Sequence, residues 1–312
     1  MTKSFTKRIN LFGDYLSEKY QGSILKLPIN SGMSCPNRDG TLDNTGCIFC
    51  CENGSAAASC SENLSITDQM KSAIESFKRG KCSHKYIAYF QAYTNTYADS
   101  SILKQMYDEA VSFSSDIIGL MIGTRPDCID EEKSQLISSY SKKLPEVWVE
   151  LGMQSANDKS LLFLNRHHNH DDSINAVKIL QNYGIKVCAH FITGIPHENY
   201  EDIIHSVSAF NEMKIDGIKL HHFHVIKNTP AEKMYEKEKF NLLSMNEYIS
   251  ITCDIIERLN PEITVHRLSA DRDIESLVAP VWGLHKGSVQ KGIEDELKRR
   301  GTWQGFLFER GI

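Results

Sequence analysis

Cys35, Cys47 and Cys50 share one loop, Cys35-Pro-Asn-Arg-Asp-Gly-Thr-Leu-Asp-Asn-Thr-Gly-Cys47-Ile-Phe-Cys50, just after a strand-like run. Three thiolates can hold three irons of a four-iron cluster and leave the fourth iron open to a small molecule. A structural zinc site wants four ligands, commonly in two close pairs. Here one close pair has a distant third cysteine, and Cys51, Cys60 or His84 would have to complete a tetrahedron. An open iron can activate a ligand, whereas a closed site only staples the fold, so the fourth position separates an enzyme from a zinc-binding module.

The remaining polar segments also follow apolar runs. They are Gln91-Ala-Tyr93-Thr94, Gly123-Thr-Arg125-Pro-Asp127, Gly152-Met-Gln154-Ser155, and Thr193-Gly-Ile-Pro196 with His190 just before it. The runs themselves predict strands over Ile24–Ile29, Tyr86–Phe90, Ile117–Ile122, Val147–Leu151, Ile185–Ile192 and Gly217–Val225. Helix-length amphipathic segments separate them, such as Thr67–Lys78 and Glu201–Met213. Strand–helix alternation argues for a parallel sheet, and six units argue for an α/β partial barrel rather than a complete one. A doubly wound sheet is the alternative. In either fold the loops at the carboxyl ends of the strands gather the ligands. The expected organisation is an N-terminal extension over 1–22, a core barrel over 23–260, and a C-terminal extension over 261–312 packed on it. A further strand over Ile263–Leu268 and a helix over Ile293–Trp303 belong to that extension.

The chain has 312 residues, 41% hydrophobic and 24% charged, as expected of a globular protein. It contains no apolar run of about 18 residues that would span a bilayer, and its first ten residues lack the apolar stretch of a signal peptide. A cytoplasmic location is expected. The nine cysteines then read as reduced, metal-bound or buried rather than paired. Cys128, Cys188 and Cys253 fall in core elements, while Cys51, Cys60 and Cys82 lack compact spacing for a second cluster. The net charge of −5 does not advertise a nucleic-acid binder. Lys3, Lys7, Arg8, Lys19 and Lys26, and later Lys286, Lys291, Lys298, Arg299 and Arg300, read as solvated basic faces. His222 and His224 lie on one side of a strand, and Trp303 is either a core or a base-stacking residue.

The cysteine loop, with Phe49 directly before its last cysteine, resembles that of the radical S-adenosylmethionine (SAM) enzymes. Its wide first gap is similar to that of the elongator catalytic subunit and its bacterial relatives. The resemblance implies a [4Fe-4S] cluster on Cys35, Cys47 and Cys50, with SAM chelating the open iron and a 5′-deoxyadenosyl radical as the product of its cleavage. The segment Val149-Glu-Leu-Gly-Met-Gln-Ser155 with Leu164-Asn-Arg-His167 looks like a superfamily signature, which implies SAM contacts from Gln154 and Arg166. Phe49, Tyr93, Thr94, Arg125 and His190 are implied contacts on the neighbouring loops. Gly123 stands where the similar pattern carries a glutamate. The ending Ala279-Pro-Val-Trp-Gly-Leu284, with Gly301-Thr-Trp-Gln-Gly305, resembles the bacterial subfamily of the YtqA and YhcC proteins. That resemblance implies wobble-uridine modification of the MnmL type on transfer RNA (tRNA), converting 5-carboxymethylaminomethyl-(2-thio)uridine to 5-aminomethyl-(2-thio)uridine. It also implies a reductant such as flavodoxin or ferredoxin, and no membrane partner. A tetrapyrrole or another small molecule is the alternative substrate.

Overall fold

The computed structural model of the protein describes residues 7–51, 64–77, 85–238, 240–270 and 274–308. The strands are β1 (Ile24–Ile29), β2 (Lys85–Phe90), β3 (Ile117–Thr124), β4 (Glu146–Gln154), β5 (Lys186–Thr193), β6 (Gly217–His222), β7 (Val225–Ile226), β8 (Thr264–Arg267) and β9 (Leu277–Ala279). Seven of them form one parallel sheet in the order β1-β2-β3-β4-β5-β6-β8. The sheet is a curled part-barrel, so the expected six strands gain a seventh in β8.

Both faces of the strands are covered, which is why they read as nearly unbroken apolar runs. Leu27, Phe90, Leu120, Val149, Val187 and Leu220 share a core with Leu103, Ile137, Leu180, Phe210 and Ile256 from the intervening helices. The helices begin on side-chain caps. Asn169, Asn199 and Ser244 each accept from a backbone N–H three residues on, and Asp172, Asp202 and Glu247 return the bond.

Alternate residues point inward. Ile87, Tyr89, Met121, Trp148 and Cys188 pack there with Phe12 and Leu16 of an N-terminal helix, Phe12–Tyr20. Phe12 stacks on His266 with centroids 3.7 Å apart and meets Trp148 edge-on at 5.2 Å. The buried Glu146 fastens this helix to the start of β4. It accepts from Tyr15 (2.9 Å), Lys19 (2.6 Å), Tyr20 (2.7 Å), Trp148 (2.8 Å) and Lys186 (3.0 Å). The N-terminal helix thereby closes the amino-terminal end of the barrel, and Lys19 belongs to an ion pair rather than to a free basic face.

The expected strand Gly217–Val225 is shorter than its apolar content suggested. Phe223 leaves the ladder to pack with Ile48 and Ile195, and Val225–Ile226 pairs antiparallel with β9 instead. The helix Lys286–Arg300 lies against Met245–Arg258, where Arg300 meets Asp254 at 2.6 Å and Glu257 at 3.3 Å. Trp303 packs edge-on to Phe306 at 4.8 Å. Among the described residues no helix is long and apolar enough to cross a membrane.

Candidate functional site

A cavity of about 360 Å³ opens at the carboxyl ends of the strands and runs down into the barrel. Cys35, Cys47 and Cys50 all line it. Local bonds shape their loop: Arg38 N–H donates to Cys35 O (2.7 Å), Gly46 N–H to Asn37 O (2.7 Å) and Cys50 N–H to Cys47 O (3.0 Å). Arg38 adds bonds from its guanidinium to the carbonyls of Cys50 and Cys51, both at 2.7 Å. The loop docks on the turn after the helix Asp158–Phe163. There Ile48 N–H donates to Leu164 O (3.1 Å), and Asn165 donates to Asp43 (2.6 Å) and to Gly46 O (2.8 Å).

Donors point at one of the sulfurs. Cys47 Sγ receives Arg166 Nη1 at 3.1 Å and Asn37 Nδ2 at 3.5 Å. Burial, with Cys47 adding to it, pushes the Cys50 thiol up to about 11. Metal binding therefore displaces a proton there. Cys51 is half-buried and does not line the cavity. Cys60, Cys82 and His84 lie outside the described residues. Cys128, Cys188 and Cys253 are buried free thiols, as expected.

Phe49, Tyr93, Thr94, Arg125, Gln154, Arg166 and His190 line the same cavity. The fold brings every expected site residue to one place. Arg125 forks onto Asp127 with two bonds of 2.9 Å and also donates to Arg166 O at 2.6 Å. Arg166 Nη2 donates to Gly152 O at 2.6 Å. A Cβ on Gly152 would sit 2.9 Å from Gln154 Nε2 and 3.1 Å from Arg166 Nη2, so a side chain there would push the ends of both site residues from their present positions. The turn after β2 bends without glycine, because Tyr93 itself takes a left-handed φ of 59°. Asn95 pins that turn to β3 by donating to Ala92 O (2.9 Å) and Gly123 O (2.8 Å). Gly123 offers this carbonyl and no carboxylate.

The donor set fits an iron–sulfur cluster with a zwitterionic nucleotide beside it. Among the described residues, the buried Arg125 Nη1, Arg166 Nε and Thr94 Oγ1 have no hydrogen-bond partner. Buried donors of this kind match a carboxylate or another polar ligand group. Arg166 would hold both a cluster thiolate and the ligand, while Arg125 is fixed by Asp127 to face the same space.

A deeper polar layer was not read from the sequence. Glu150 Oε2 accepts from Lys219 Nζ (2.5 Å), Tyr89 Oη (2.6 Å) and His190 (3.0 Å), and Lys219 also bonds Tyr89 Oη at 2.8 Å. Burial pushes the Glu150 carboxyl up, but Lys219 and His190 outweigh it and hold the group well below the usual carboxylate range. His190 is thus tied to this layer, and burial lowers it to about 4. His190, Lys219 and Arg267 are register partners across β5, β6 and β8, and Arg267 bonds His221. Lys26 reaches the same cavity from β1, so it does not belong to a solvated basic face. His222 and His224 line the wall too, joined by His221. The available sequence signal was a charged residue at an inward position of an apolar strand, as in Ile-Leu-Lys26-Leu, Val-Glu150-Leu and Ile-Lys219-Leu.

Comparison with known proteins agrees with this geometry. The radical SAM superfamily model matches residues 41–210, and the model of its C-terminal domain matches residues 215–299. The first match starts after Cys35 and includes Cys47 and Cys50. The chain is 35% identical to the YtqA protein of Bacillus subtilis over 308 residues, covering 97% of this chain and 94% of that one. It is 37% identical to the YhcC protein of Escherichia coli over 296 residues, covering 95% and 94%. A tRNA uridine(34) acetyltransferase of Dehalococcoides mccartyi is 27% identical over 186 residues, 59% of this chain and 39% of the enzyme. Among solved structures, the archaeal Elp3 of Methanocaldococcus infernus shares the fold with a TM-score of 0.68 at 18% identity, covering 93% of this chain and 68% of that one.

Proposed function

The chain belongs to the radical SAM superfamily, whose cofactors are a [4Fe-4S] cluster and SAM, and on that premise we propose that it modifies the wobble uridine of tRNA. The reaction proposed is oxidative removal of the carboxymethyl part of 5-carboxymethylaminomethyl-(2-thio)uridine. The glycine-derived methylene would lose a hydrogen atom to the deoxyadenosyl radical and a second electron to the oxidised iron–sulfur centre. Water would add to the resulting imine and break the C–N bond, leaving 5-aminomethyl-(2-thio)uridine and glyoxylate. The observation that carries the radical chemistry is the incomplete thiol set. Among the described residues, Cys35, Cys47 and Cys50 are the cysteines lining the cavity, one short of a saturated four-iron cluster. The tRNA reading is supported by likeness to YtqA and YhcC over nearly the whole chain, and by likeness to enzymes named for uridine 34 of tRNA.

Bound at this site, the cluster and SAM supply a 5′-deoxyadenosyl radical, with flavodoxin or ferredoxin as the electron donor. The chain supplies position and dryness. Arg166 and Arg125 would hold the SAM carboxylate, Thr94 and the Tyr93 backbone its amino end, and Phe49 and Gln154 the rest of the nucleotide. A radical suits the substrate because the bond to be broken adjoins an unactivated C–H, which no side-chain base of ordinary pKa removes at neutral pH. The protein acts where its substrate is, in the cytoplasm. The test is anaerobic incubation of the reconstituted protein with SAM, a reductant and tRNA carrying the carboxymethylaminomethyl group. The expected result is 5′-deoxyadenosine together with the aminomethyl nucleoside by mass spectrometry. 5′-Deoxyadenosine with an unchanged wobble nucleoside would refute the substrate.

A further inference from the structure

The cavity floor holds more cationic charge than its one carboxylate answers. Glu150 Oε2 is engaged by Lys219, Tyr89 and His190, while its buried Oε1 has no hydrogen-bond partner among the described residues, so one negative charge stands against the ammonium groups of Lys219 and Lys26. Among the described residues Lys26 makes no hydrogen bond and no ion pair. Its ammonium lies 4.6 Å from the Phe12 ring centroid and 5.6 Å from that of Tyr89. Lys219 sits 4.6 Å from the same Tyr89 ring, so two ammonium groups flank one phenol. Ring faces compensate an ammonium only partly. The neighbouring trio Glu150, Cys188 and His266 could in shape hold a metal cation, but Lys26 and Lys219 face it and repel one. The vicinity is suited to an anion.

We propose that Lys26, with Lys219 beside it, forms a carboxylate-binding subsite at the floor of the cavity and takes the acidic end of the substrate's side chain. This rests on the reading of the substrate above and deepens it: the carboxylate that distinguishes substrate from product is what the barrel interior recognises. Held there, the carboxylate anchors the side chain below the cysteine loop, with the C–H to be broken between the anchor and the radical source. Once the C–N bond is broken the carboxylate stays with the small two-carbon acid, so the aminomethyl nucleoside keeps no group that the two ammonium groups can hold, which favours its release.

The pH dependence follows. Burial, with Lys219 adding to it, pulls Lys26 down to about 7. The other groups facing it are Glu150, Tyr89, Cys188, His190, His266, Lys219 and Arg267. Of these, Glu150, His190 and His266 are lowered and Tyr89 and Cys188 are raised, all away from neutrality. A carboxylate binds the protonated form of Lys26, so preference for the acid fades as pH rises through about 7.

The test uses the full-length protein carrying its cluster, with anticodon hairpins bearing either the carboxymethylaminomethyl group or its neutral carboxamide. Binding is read by fluorescence anisotropy on both sides of neutrality, SAM affinity by calorimetry, and turnover by mass spectrometry. Wild type is expected to prefer the acid hairpin by about tenfold at the lower pH. K26R should keep the preference and K26Q should erase it, with SAM affinity unchanged in both. Equal loss for the two hairpins in K26Q, or a loss of SAM affinity, would overturn the subsite, the latter by assigning Lys26 to the SAM carboxylate. Should K26Q not fold, absence of a pH-dependent preference in wild type overturns it alone. Turnover without preference removes this inference and leaves the proposed reaction standing; preference without turnover does the reverse.

Discussion

Replacing Lys219 with methionine isolates what the buried network contributes. Lys219 is 8% exposed at its side chain and Glu150 0%, and their contact is 2.5 Å. Removing one partner of such a pair strands the other charge, which costs about 3–5 kcal/mol. Tyr89 and His190 still bond Glu150 Oε2 in the variant, so the lower end, about 3 kcal/mol, is expected. The sign with pH is fixed. Glu150 in wild type is held below its ordinary value, so the pair stabilises the fold above the ordinary carboxylate range and this is lost as pH falls through the depressed value. In Lys219→Met the penalty is largest at neutral pH and shrinks in acid, where protonated Glu150 needs no counter-ion. The assay is anaerobic urea unfolding of the cluster-loaded protein, followed by tryptophan fluorescence, to which Trp148, two residues away in β4, contributes beside Trp282 and Trp303. Lys219→Met combined with Glu150→Gln should recover part of the loss. A single variant within about 1 kcal/mol of wild type, or a double variant worse than the single one by a full additive step, would refute the reasoning.

Two further outcomes are expected. Arg166→Lys keeps the charge but loses the fork that reaches both Cys47 Sγ and Gly152 O, so SAM affinity by calorimetry should fall about 10- to 100-fold while the apo fold is retained. Glu146 is held at about 2 against an ordinary 4.5; burial opposes this, and Lys19, Trp148 and Tyr20 outweigh it. That fall corresponds to at most ~3 kcal/mol, and solvent screening near the barrel end leaves about 2. Acid unfolding should therefore remove this increment between about pH 4.5 and 2, and Glu146→Gln should flatten that part of the profile.

The site was legible where its chemistry is local in sequence. The cysteine loop, the Gly-Met-Gln segment and the strand ends announce themselves by spacing and by polar residues after apolar runs. The barrel floor was hidden for a physical reason. Lys26 stands alone in an apolar run and reads, with the other charges of the N-terminal segment, as surface, yet the strand period of two turns it inward toward Tyr89 and Phe12. Glu150 and Lys219 are 69 residues apart and meet only because β4, β5 and β6 are adjacent in the sheet. The packing of the N-terminal helix was not legible because its partners, Glu146, Trp148 and His266, come from β4 and β8, far along the chain. The end of β6 was overrun because Phe223 and Val225 are as apolar as strand residues, while their packing partners lie in the cysteine loop and in β9.

The most direct measurement is electron paramagnetic resonance of the reduced, anaerobically reconstituted protein before and after SAM is added. The expected spectrum is that of one four-iron cluster per chain whose g-values shift on SAM binding, with no such cluster formed once Cys35, Cys47 or Cys50 is replaced by alanine. A colourless protein with stoichiometric zinc, or a cluster spectrum that SAM leaves untouched, would contradict an open iron at this site.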